Sequence, residues 1–188
     1  FIVEMIPGPH PLEELEIGLL RIAASQPTGL MEQLRRDERG LLRAARLALP
    51  DDSELLLVID QFEELFTLVE DKSETTHFLN LLQAAVADSR SRIRVIVTLR
   101  ADFYDRPLLF PNFSGLMRRH TEVVVPLTPD ELARAIREPA ERVGAVLETG
   151  LVTAIVADVN QQPGALPLLQ YALTELFERR QGRLLTRA

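Results

Sequence analysis

The 188-residue chain contains no cysteine, which excludes a disulfide framework and any thiolate metal site. That absence fits a reducing compartment, and the cytoplasm is the expected location. Lysine occurs once, at Lys72, and residues 66–71 (FTLVED) before it hold no glycine. A phosphate-binding loop of the pattern Gly-x-x-x-x-Gly-Lys-Ser/Thr is therefore not encoded here, although Ser73 follows the lysine. No apolar run approaches the roughly 18 residues of a membrane span. Positive charge is also short: the net charge of -7 argues against a nucleic-acid surface, which needs a basic stripe. There is neither an internal repeat nor a low-complexity tract. Phe1-Ile2-Val3 is already strand-like and carries no initiator methionine, so the chain reads as an excerpt.

What is present is organised around Leu55–Phe66, LLLVIDQFEELF. Five apolar residues run into Asp60, and Glu63 and Glu64 follow. Such a run predicts a strand buried on both faces of a parallel sheet. A carboxylate at the carboxyl end of that strand sits at the rim where open α/β folds bind ligands. Asp60 there suits Mg²⁺ held through water, with a second acid polarising an attacking water. The plainer alternative is a buried strand followed by a helix that Asp60 caps.

In chain order, 1–6 predicts a strand stopped by Pro7-Gly8-Pro9, and Leu12, Leu15, Leu19 and Ile22 have helical spacing. Residues 31–49 predict a second helix, whose arginines (Arg35, Arg36, Arg39, Arg43, Arg46) read as a solvated face rather than a phosphate patch. After the central strand come a short helix over 62–69, an exposed polar stretch over 71–76 and a helix over 77–88. Ile93–Leu99 predicts another buried strand, ending in Arg100-Ala101-Asp102-Phe103-Tyr104. A broken, partly helical connection over 107–120 leads to a short strand over 122–125, stopped by Pro126. Thr128-Pro129-Asp130-Glu131 has the pattern of a capping box with proline at the first helical position. That helix is expected to end near Gly144, with Pro139 a possible kink. Helices over 150–160 and 165–180 follow. The fold class is α/β: a parallel sheet over 1–126 and a small helical subdomain over 127–188. His10, His77 and His120 are too dispersed to suggest a metal site.

Three motifs, DQFEELF at 60–66, TLRADFY at 98–104 and PGALPLLQYAL at 163–173, together resemble the nucleotide-binding domain of STAND-class P-loop ATPases. The resemblance is to the bacterial novel-STAND type, often fused to WD repeats, and covers roughly 1–185. It implies a P-loop NTPase-type sheet missing its first strand, since the family places that strand and the phosphate loop (Walker A) upstream of Phe1. In this sheet the missing strand would lie between 93–99 and 122–126. The first motif would be the Walker B strand, the second the sensor strand, and the third part of a helical lid. Asp60 would then coordinate Mg²⁺, Glu63 or Glu64 would position the attacking water, and Arg100 would contact the terminal phosphate. Pro167, reached through Gly164, would lean on the base. Gln61 stands where many P-loop ATPases carry the catalytic glutamate, which leaves the base open between Glu63 and Glu64. Arg100 paired with Asp102 or Glu63, and Pro167 as an ordinary first-turn proline, are the structural alternatives.

The expected function is the core of a signalling ATPase that switches between ATP and ADP states, with protein partners, an attached effector or a homo-oligomer as readout. The excerpt alone is expected to be inactive and to bind ATP more weakly than about millimolar, for want of the loop. A non-hydrolysing scaffold that keeps the fold is the alternative. A DNA-binding regulator is disfavoured by the acidic charge.

Overall fold

The structure is a computed structural model and describes residues 1–25, 27–159, 164 and 166–186. It divides into two compact units, Phe1–Glu122 and Val123–Ala188.

The first unit begins with β1 (Ile2–Met5), α1 (Pro11–Ile22), α2 (Leu30–Arg36), α3 (Gly40–Ala48) and β2 (Leu55–Ile59). It continues through α4 (Glu64–Thr67), α5 (Lys72–Ala87), β3 (Ile93–Val97), a 3-10 turn (Ala101–Phe103), α6 (Asp105–Leu108) and α7 (Pro111–His120). The strands form one parallel sheet in the order β1-β2-β3. Its register aligns Val3, Leu57 and Val95, and likewise Met5, Ile59 and Val97. These residues pack into one core with Leu15, Leu19, Leu41, Phe78 and Leu82 from the helices.

The opposite side of the sheet differs from expectation. Period-two alternation turns Ile2, Leu56, Val58, Arg94 and Ile96 the other way, where Leu56 and Val58 are half-buried and Ile96 is 51% exposed. The central strand is thus fully buried on one face only. Nor does 122–125 form a strand. Val123, Val124 and Val125 are exposed coil, and β3 is an edge of the described sheet. β-Branched residues favour a strand only where a neighbour offers pairing and a face to pack on.

Residues 31–49 form two helices rather than one. Asp37 is fully extended (φ -165°), its Oδ1 accepts the Arg39 amide at 2.8 Å, and its carbonyl accepts the Gly40 amide at 2.9 Å. This tight reversal brings Gly40 against the end of α2: a Cβ there would lie 2.8 Å from the Leu34 carbonyl oxygen and 2.9 Å from its Cα. Backbone atoms cannot swing aside as a side chain does. Gly40→Ala should therefore lower stability by about 1–3 kcal/mol, the usual cost of overpacking. A urea midpoint unchanged from wild type would refute that close approach.

The stretch expected to be polar and exposed over 71–76 is exposed at Asp71, Lys72, Ser73 and Thr76, and it also opens α5. The Asp71 side chain accepts the Ser73 amide at 2.8 Å, and its other oxygen takes the Ser73 hydroxyl at 2.7 Å. Those bonds, the hydroxyl first, hold the Asp71 carboxyl below the ordinary carboxylate range. Within this first turn Thr75 is buried and its hydroxyl donates to the Leu65 carbonyl.

The second unit contains α8 (Pro129–Arg142), β4 (Val146–Leu147), α9 (Leu151–Val159), α10 (Leu166–Glu178) and β5 (Leu184–Leu185). The capping box forms as read: Thr128 Oγ1 accepts the Glu131 amide, and the Glu131 carboxylate accepts the Thr128 amide at 2.8 Å. The unit is not purely helical, because β4 and β5 pair in parallel. Leu132, Ile136, Val152 and Leu169 form its core.

Candidate functional site

Asp60 is the first residue beyond β2, and Thr98 follows β3 directly. Parallel pairing aligns Ile59 with Val97, so the two strands deliver these residues to the same sheet edge. The chain must then turn sharply. Gln61 does so in the left-handed region (φ 51°), which a residue with a Cβ rarely adopts. Its amide donates to Asp60 Oδ1 at 3.0 Å and to Thr98 Oγ1 at 3.1 Å. The Thr98 hydroxyl in turn donates to Asp60 Oδ1. No bond within the described residues engages Asp60 Oδ2, and Asp60 is exposed. Asp60 is not the cap of α4, whose N-cap is Glu63.

Phe62 anchors the turn from below. Its side chain is fully buried, its amide donates to the Thr98 carbonyl at 2.9 Å, and its ring meets Phe66 edge-on at 5.7 Å and Phe113 stacked at 5.9 Å. With Phe62 pointing in, Glu63 is carried to the rim, where Oε2 accepts the Arg100 amide at 3.4 Å. Glu64 sits one residue further on in α4, and its side chain makes no bond to the others.

The Arg100 guanidinium is forked onto Asp102, Nε to Oδ1 at 3.1 Å and Nη2 to Oδ2 at 2.8 Å, and lies 5.7 Å from the Phe103 ring centre. Of the two structural alternatives for Arg100, the guanidinium therefore takes Asp102 and not Glu63. The pair is exposed, 67% and 56% at the two side chains. Exposed pairs contribute about 0–1 kcal/mol, so a phosphate could displace Asp102 at little cost.

Asp60, Thr98, Glu63 and the Arg100 backbone thus share one rim of the sheet, whereas the Arg100 guanidinium is turned onto Asp102. Thr98 opens the motif TLRADFY at 98–104, but the sequence alone gives it no role of its own. Gly164 (φ 75°) and Pro167, the second residue of α10, belong to the second unit, and both are exposed. Pro163 and Ala165 lie outside the described residues.

No group of three or more metal-ligating side chains occurs among the described residues. Mg²⁺ does not require one: it commonly binds through one or two carboxylates, with water and phosphate oxygens completing the shell. An exposed Asp60 with one oxygen held and the other unengaged fits that mode.

The family model described as Novel STAND NTPase 1 matches residues 1–188. The chain belongs to this family. No curated protein and no solved structure matches it. A STAND NTPase domain binds nucleotide, and this one presents its acidic and basic rim residues at the carboxyl ends of two parallel strands. No helix among its described residues is long and apolar enough to cross a membrane.

Proposed function

We propose that this STAND NTPase domain is an ATP/ADP-dependent conformational switch of the cytoplasm, acting through protein partners, an attached effector or self-assembly. The observation that carries the proposal is the convergence of Asp60, Glu63 and Arg100 on one sheet edge. Asp60 would hold Mg²⁺, which supplies charge neutralisation at the phosphates. Of the two candidate bases Glu63 is favoured, because its carboxylate is tied to the rim by the Arg100 amide while Glu64 has no such tether. Arg100 would read the terminal phosphate, and Gly164 and Pro167 would serve the base.

ADP lacks the group that Arg100 is assigned. In the intact protein, Arg100→Ala should weaken ATP binding by roughly 1.5–3 kcal/mol, the worth of a charged hydrogen bond. ADP affinity should stay nearly unchanged. Calorimetric titration with both nucleotides checks this, and equal weakening of the two would make Arg100 a structural rim residue. The alternative reading is a scaffold that keeps the fold without hydrolysis, in which Arg100 stays paired with Asp102. Absence of turnover in the intact protein, with nucleotide binding retained, would select it.

A further inference from the structure

Thr98 commits every polar group it has to the turn that carries Asp60. Its amide donates to the Ile59 carbonyl at 3.0 Å and its carbonyl accepts the Phe62 amide at 2.9 Å. Its hydroxyl donates to Asp60 Oδ1 and accepts the Gln61 amide at 3.1 Å. The contacts span residues 59–62, and two of the three partners of the hydroxyl and carbonyl are backbone amides whose direction the turn fixes.

A carboxylate at a strand tip is otherwise free to rotate about χ1 and χ2, and each rotation moves both oxygens. With Oδ1 held by the Thr98 hydroxyl and the Gln61 amide, Asp60 is limited to one orientation, and Oδ2 is the oxygen left for a ligand. Bonds of this kind fix a metal-binding side chain and typically change metal affinity by about 10–100-fold. The hydroxyl does a second job. The left-handed Gln61 gains an acceptor on the residue that follows β3, so the strained turn is fastened to the end of a neighbouring strand rather than to Asp60 alone.

We propose that Thr98 is a positioning residue that locks the Asp60 carboxylate for a divalent cation. The inference rests on the assignment of Asp60 to the metal, and the test separates the two. Intact protein would be titrated with Mn²⁺ in the presence of ADP, with bound ion read by electron paramagnetic resonance, for wild type, Thr98→Val, Thr98→Ser and Asp60→Ala. Valine keeps the shape and removes the hydroxyl, whereas serine keeps the hydroxyl. Thr98→Val should weaken Mn²⁺ about tenfold or more, Thr98→Ser should stay within about twofold of wild type, and ADP affinity in EDTA should not change. A Thr98→Val protein with wild-type Mn²⁺ affinity, beside an Asp60→Ala protein that has lost it, overturns the role of Thr98 alone. Wild-type affinity in Asp60→Ala overturns both. Weakening in valine and serine alike, with a lowered melting temperature in each, reduces Thr98 to a packing residue and also overturns the proposal.

Discussion

Asp60→Asn should lower ATP turnover of the intact protein by about 10²–10³-fold, while nucleotide binding in EDTA stays at the wild-type level. Asparagine is nearly isosteric and keeps an oxygen for the Thr98 hydroxyl and the Gln61 amide, so the turn should survive. What it removes is the negative charge that a hard cation requires. Metal assistance at a transferring phosphoryl group contributes several kcal/mol, and each 1.36 kcal/mol is about tenfold in rate. The steady-state rate against Mg²⁺ concentration is the measurement. An unchanged rate with an unchanged Mg²⁺ midpoint would remove Asp60 from the site and leave it a plain turn residue.

The second large effect is expected at Phe62, where the consequence is first structural and then chemical. The ring is fully buried between Phe66 and Phe113, and the residue sits between the two acids it helps to place. Truncating a buried phenylalanine costs about 3–5 kcal/mol in lost transfer energy and residual cavity. Phe62→Ala should lower the unfolding free energy from urea titration by that much, and Phe62→Leu by much less because leucine refills most of the space. The 60–63 turn should loosen as well, so Mg²⁺-dependent activity in Phe62→Ala should fall even at concentrations of urea where the fold persists. A stability loss under about 1 kcal/mol would mean that Phe66, Phe110 and Phe113 close the space without it.

The readable parts of this sequence were those whose signal is local. β1, β2 and β3 are short apolar runs bounded by turn residues, and all three form in parallel register. The Thr128 box needs only residues 128 and 131, and it forms. Asp71 had a comparable signal, an acid with Ser73 and Glu74 behind it, but the polarity of 71–76 outweighed it. Other features depend on neighbours distant in sequence. The break at Asp37 and Gly40 follows from how tightly α3 folds back on α2, which helical spacing does not encode. The valines at 123–125 have the composition of a strand but pair with none among the described residues. The Thr98 hydroxyl meets Asp60 across 38 positions of sequence, a meeting that only the register of β2 and β3 creates.

β3 has a further consequence, kinetic rather than architectural. Among the described residues it is an edge of the sheet, and of its five residues Arg94 is the single charge, with Ile96 half exposed beside it and Ile2 58% exposed two strands away. An apolar edge of this sort is a template on which another copy can pair. Folding is first order in protein and such pairing is second order, so each doubling of concentration doubles the frequency with which a given chain meets another and leaves its folding rate constant unchanged. Each copy that stacks in register brings its own Arg94, and the chain's net charge of -7 adds a broader repulsion. Both act over about 8–10 Å at physiological ionic strength and over less as salt rises. For residues 1–188 taken by themselves, dilution and low salt should therefore keep the chains separate, whereas concentration and high salt together should let one sheet continue into the next.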